Sequence, residues 1–293
     1  MPGFRSLRQH MVTTVGDLAP DLSAIDLDLF IVVNLSVLTA VYLWAARRAG
    51  NWNRLSTLAF LVAMASLALA YLGPFGAWAH DAFWAHMGQH LLVLMIAGPM
   101  IVLSSPVRLT FANLGPQGRR RLVRILRSRP VEFLTNPYVG WLLFATVLLG
   151  SHTQIVMNWA LISHDGMEFV IRPIYLFAAL TFYYPLIGCD LIAKRPAPSV
   201  RLMSLGLMMI PETALGIVIH FAPVPLYWPY EQTAALYGFD VMADQKFAGA
   251  MMWAIAMVLD GIWMMVAALE WWRDQEKETR KLERQEAREA ATA

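Results

Sequence analysis

Seven apolar runs, each about as long as a bilayer is thick, dominate this chain of 293 residues. A hydrocarbon core of about 30 Å takes roughly 20 helical residues to cross, and only closed hydrogen-bonding patterns survive there. The runs are read near Leu29 to Ala46, Leu55 to Leu72, Phe83 to Leu103, Tyr138 to Met157, Phe169 to Cys189, Leu202 to Phe221 and Phe247 to Leu269. Only 15% of residues are charged, where soluble domains carry about 25%. The fold class expected is all-α: an integral membrane bundle of about seven transmembrane helices, with an outer arm over 1–28, the spans over 29–270 and a charged tail over 271–293.

Lysine and arginine set the orientation. Connections one, three and five and the tail hold 19 of the 23 basic residues, including Arg119, Arg120, Arg121, Arg124 and Arg127. Seven spans put all 19 on one side, so the positive-inside bias predicts a cytoplasmic C-terminus and an N-terminus outside. The arginine-rich third connection reads as this topology signal beside anionic lipid rather than as a nucleic-acid surface. The localisation expected is a bacterial inner membrane. The first 28 residues lack an apolar core followed by a cleavage site, so no cleaved signal peptide is expected.

All seven histidines are then expected toward the outer side: His10, His80, His86, His90, His152, His164 and His220. His86 and His90 share one helix face, because residues four apart lie one above the other. That spacing serves a metal or substrate as well as a structural hydrogen-bonded pair. His152, His220 and Asp244 at comparable depth on other spans favour ligands, since ionisable groups in a bilayer are costly. One cysteine, Cys189, excludes disulfide frameworks and multi-cysteine clusters, leaving histidine, methionine and carboxylate for any metal. Imidazole and thioether both suit copper, and Met87 and Met208 lie at useful depth, although methionine also fills membrane cores.

Two acids sit inside spans. Glu212 lies eight residues before His220 on one face and serves a polar path, support for a metal-bound imidazole, or a helix-packing hydrogen bond; Asp260 lies in span seven. Glu168 and Arg172, four apart, read as an ion pair near the interface. No GxxxxGK[ST], HExxH or GxSxG motif occurs, so nucleotide-driven and common hydrolase readings have nothing to rest on.

The segment His86-Met87-Gly88-Gln89-His90-Leu91-Leu92, running on to Ala97-Gly98-Pro99 and Ser105-Pro106, resembles the HMxQHLL stretch of the CtaG type of cytochrome c oxidase assembly factor. Asp244-Gln245, followed by Ala248-Gly249 and Met252-Trp253, is similar to that family's DQxxxG…MW opening of the last span. His152 ahead of Ala160-Leu161, and Phe182 to Leu186, resemble its histidine after span four and its aromatic run. The likeness covers roughly residues 55 to 265. It implies a polytopic, non-enzymatic factor that supplies copper to a heme–copper oxidase, with an oxidase subunit as partner. Carried onto this chain, His86, His90 and His152 are ligands, with His220, Asp244 and Gln245 as further ligands or supports. Where the family has two histidines four apart, this chain has Glu168 and Arg172, a departure that leaves a metal-free scaffold as an alternative. A b-type heme carrier using His90 with His152 or His220 is another. A proton- or metal-coupled transporter using Glu212 and Asp260 is a third.

Overall fold

The computed structural model describes residues 28–163, 166–188 and 190–292. The arm over 1–27, with His10, and His164 and Cys189 lie outside the described residues. Those described form helices and no strand, and the bundle is that of a membrane protein. Six helices are long and apolar enough to span a bilayer, and a bent pair makes a seventh.

In chain order, α1 (Leu29–Arg48) and α2 (Arg54–Tyr71) form an antiparallel pair joined through a short turn. Their starts follow from side chains: Asp28 accepts from the amides of Phe30 and Ile31, and Asn53 accepts from that of Leu55. After a single helical turn, α3 (Pro74–Trp78), comes α4 (Phe83–His90). It continues without a break through a π-helical segment, Leu91–Ala97, into α5 (Gly98–Leu103). This rod is the most enclosed span of the bundle and packs against α2 and against two helices from later in the chain. By contrast α1 shows Val33, Val37 and Val41 outward, as lipid-facing helices do.

The π-helical segment has a physical cause. Pro99 has no N–H, and its ring crowds the carbonyl four residues back, that of Met95. Inside a bilayer an orphaned carbonyl is costly, and here the Trp263 indole donates to it at 2.8 Å. Ser66 Oγ likewise donates to Leu92 O at 2.9 Å. The wide turns immediately after His90 are therefore held by side chains from two neighbouring helices.

Three shorter helices, α6 (Pro106–Asn113), α7 (Pro116–Leu126) and α8 (Arg129–Leu134), carry the arginine run, and α7 buries no residue. The fourth expected span is broken. It ends at Ser151 as α9 (Pro137–Ser151), and α10 (Gln154–Ile162) leaves at 70°, with His152 and Thr153 at the corner. A second π-helical segment, Gly166–Ile171, leads into α11 (Arg172–Leu186), which packs on α9. Then follow α12 (Pro198–Phe221), α13 (Trp228–Tyr237) and α14 (Val241–Thr292), in which the last span and the tail are one helix.

α12 and α14 make the most extensive helix pair, and glycine is why they come so close. A Cβ on Gly249 would stand 2.6 Å from His220 N and 2.8 Å from Gly216 O, so the two backbones meet at a Gly216–Gly249 crossing. At the arginine-bearing end of the bundle, Glu270 accepts from Gly188 N at 2.8 Å and pairs with Arg201 and Arg195. Asp190 caps α6 through the amides of Val107 and Arg108. The histidines collect at the opposite end.

Replacing Trp263 with Phe leaves Met95 O without its donor and also removes part of the buried indole ring. Thermal unfolding in detergent should show a loss of about 1–3 kcal/mol, and an unchanged midpoint would refute the role given to that bond.

Candidate metal centre

His86 and His90 stand on successive turns of α4, facing the corner where α9 ends. There His152 follows the last helical residue, Ser151, so its ring turns inward instead of continuing along the helix. The three imidazoles are 1%, 2% and 6% exposed. One ring nitrogen of each lies within 4.8 Å of those of the other two. Ring centroids are 4.2 Å apart for His86–His90, 5.3 Å for His90–His152 and 6.4 Å for His86–His152.

Each ring is held by its surroundings. His152 Nδ1 stands 2.7 Å from Leu148 O, a carbonyl near the end of α9 that can only accept. Nδ1 therefore carries the proton, and Nε2, which has no hydrogen-bond partner, carries a free lone pair. This is how proteins commonly orient a metal-binding imidazole. Ser151 Oγ also meets His152 Nδ1 at 3.2 Å and makes a short contact with Tyr175 OH; the Tyr175 ring packs against His90 at 4.3 Å between centroids. His86 Nε2 and His90 Nε2 approach to 2.6 Å and share one hydrogen bond, while His86 Nδ1 is unpartnered. A metal about 2.0–2.1 Å from three nitrogens in a trigonal arrangement spaces them about 3.6 Å apart. Small rotations of the side chains would reach that spacing.

Asp244 and Gln245, expected among ligands or their supports, have other partners. Asp244 accepts from Phe83 N at 2.8 Å and Trp84 N at 3.0 Å. It caps α4, which otherwise begins at Ala82 with no capping side chain. Gln245 accepts from Leu226 N at 2.8 Å and donates to Val224 O at 3.2 Å, fixing the connection between α12 and α13. From that connection Tyr227 OH donates to His152 O at 2.7 Å, and from α13 Tyr230 OH donates to Ala79 O at 2.9 Å. Burial pushes both phenols well above their ordinary pKa, so both remain neutral donors. Their rings pack on Phe83 and roof the three histidines.

His220, also expected as a ligand, lies at the end of α12 with Nδ1 2.7 Å from Lys246 O, outside the converging group. Met87 and Met208 are fully buried core residues and line neither of the gaps beside His90. Glu168 and Arg172 form an ion pair at 3.1 Å, and the guanidinium lies 5.0 Å from the Tyr71 ring centroid. Arg172 borders a small gap of about 10 Å³, room for a single water, that it shares with His90, Gln89 and Tyr175. Glu212 is 1% exposed and borders a second gap beside His90. Sequence reasoning missed Tyr175, Ser151, Tyr227 and Tyr230, because nothing local marks a tyrosine as part of a site formed across helices.

Removing the cap tests this arrangement. Asp244→Ala should cost about 0.5–2 kcal/mol in stability, while Asp244→Asn, which can still accept, should cost less. Equal losses for the two variants in a thermal melt would rule out capping as the role of this residue.

Among known proteins, a family model described as cytochrome c oxidase caa3 assembly factor (Caa3_CtaG) matches residues 39–274. No curated protein and no solved structure matches the chain.

Proposed function

This chain belongs to the cytochrome c oxidase caa3 assembly factor family, and from that premise we propose that it binds copper at His86, His90 and His152 and hands it to an oxidase subunit. The observation that carries this reading is the convergence of three buried imidazoles from two separate helices, with His86 Nδ1 and His152 Nε2 unpartnered. Buried polar groups in a membrane protein are normally paired, and those left without partners mark function. Three neutral nitrogen donors suit copper in either common oxidation state.

Copper here is cargo. Its binding breaks the His86–His90 hydrogen bond, and the three ligands bring no charge of their own to a site enclosed by apolar rings. Both features keep the site weak enough for transfer by ligand exchange, with no covalent step. Because protons compete for the same nitrogens, acid favours release. His152 is oriented in advance by Leu148 O, so it serves as the fixed ligand, and the α4 pair closes on the metal. The Glu168–Arg172 pair stands outside the ligand set, so its replacement of two family histidines is compatible with a three-histidine site.

Copper is favoured over heme on space. The imidazole rings pack against one another, and the gaps beside them leave about 10 Å³ and no room for a water molecule, far short of the roughly 300–1,000 Å³ typical of cofactor-sized pockets. The arginine-rich end carries 19 of the 23 basic residues. By the positive-inside rule that end is cytoplasmic, and the histidines face the outer side of the inner membrane, where the partner subunit would receive copper.

Purified protein should retain copper. His86→Ala, His90→Ala and His152→Ala should each lower affinity by more than the roughly 10–100-fold that loss of an outer partner costs. Equal copper in wild type and all three variants would defeat the assignment. For orientation, a reporter active only in the cytoplasm should be active when fused after residue 293; silence there would reverse the proposed sidedness.

A further inference from the structure

Between the histidines and the arginine-bearing end lies the most anomalous polar group in the described bundle. Glu212 on α12 and Asp260 on α14 are 1% and 0% exposed. Glu212 Oε2 and both Asp260 oxygens have no hydrogen-bond partner among the described residues. The buried Tyr183 OH, also unpartnered, lies within electrostatic reach of both acids. Two carboxyls and a phenol from three helices are thus enclosed without a cation, the two acids close enough for one carboxyl to share its proton with the other, an arrangement that is costly inside a bilayer.

Glu212 also borders a gap between α4 with its π-helical extension, α12 and α14. The other lining residues are His90, Leu91, Leu94, Met95 and Met252. Met95 and Met252 are fully buried. The gap contains about 170 Å³ of empty space drawn out between side chains, nowhere wide enough for a water molecule. A water chain therefore does not fit, and any ion held there must be stripped of water and touch its donors directly.

The residues on that wall that carry donor atoms are His90, Met95, Met252 and Glu212. Hard cations such as Mg²⁺ or Ca²⁺ take about six or more oxygen ligands. A set dominated by sulfur and nitrogen selects a soft monovalent ion. Glu212 supplies the single negative charge such an ion needs in a low-dielectric interior, once the ion has displaced its proton.

We propose that His90, Met95, Glu212 and Met252 form a second metal position, deeper in the bundle than the three histidines, that takes Cu(I) or its analogue Ag(I). His90 belongs to both positions: it lines the gap and is a member of the upper triad. A neutral imidazole has one lone pair, so His90 ligates one ion at a time: metal passes between the positions by exchange of ligands around this ring, and with both filled His90 stays with the triad while Met95, Met252 and Glu212 hold the deeper ion. This rests on the reading of the three histidines as a copper site.

The full-length protein in detergent, titrated with Ag(I) and Cu(I), should bind two equivalents. Met95→Leu with Met252→Leu, or Glu212→Gln, should bind one. His152→Ala should weaken the upper position and keep the sulfur-ligated one. X-ray absorption at the copper edge needs no variant: wild type with two equivalents should show sulfur neighbours, and the double methionine variant should not. A second equivalent undiminished in both lower-site variants, or copper in wild type with nitrogen neighbours alone, overturns the proposal while leaving the upper site standing. No binding of either ion by wild type overturns both.

Discussion

The carboxylate of Asp244 closes the N-terminus of α4, and the position of the histidines follows from that closure. α4 starts beside an irregular connection, and the first amides of a helix have no partner within it. Asp244 meets two of them from the far end of the chain and favours the positive end of the helix dipole as well. The next residue, Gln245, ties down the connection whose Tyr227 holds the corner at His152. Two adjacent side chains on α14 thus position both halves of the candidate centre: the α4 pair directly, and His152 through the tyrosine roof. Their role is structural, and it brings residues more than sixty positions apart to one point.

The same demand for satisfied backbone groups accounts for the distortions along the central rod. Pro99 removes one helical hydrogen bond, the π-helical turns take up the mismatch, and Trp263 and Ser66 repair the exposed carbonyls. A straight helix would continue the face of His86 and His90 with ordinary packing. The widened turns just below His90 instead open the gap that Met95, Glu212 and Met252 line. Local strain, its repair by neighbouring side chains and the presence of metal-type donors coincide within one stretch of chain.

Much of this was legible before any coordinates. The apolar runs predicted the spans to within a few residues at most ends, because hydrophobic length is a property of the chain alone. The fourth run was misjudged: Tyr138 to Met157 reads as one continuous apolar segment, yet the helix stops at Ser151 and turns by 70°. Gly150 stands just before the stop, but glycine is also common within membrane helices and does not by itself mark an end. His152 ends the helix by turning its own side chain back to Leu148 O, an interaction that depends on its burial. The pairing of His86 with His90 was readable from their spacing, and His152 from its depth.

His220 and Asp244 show the limit of depth as a guide. Both lie near the level of the histidine group, but depth constrains one coordinate of three. His220 is drawn to Lys246 O by the Gly216–Gly249 crossing, and Asp244 to the amides of α4. Taken alone, the sequence determined the helical class, the segregation of basic residues to one end and the shared face of His86 and His90. All of these follow from composition and periodicity along a single helix. Only the tertiary structure decided which polar residues meet across helices, that His152 and not His220 joins the pair, and that Glu212 and Asp260 are enclosed together. Those outcomes depend on helix rotation and crossing distance, which packing sets and no local pattern encodes.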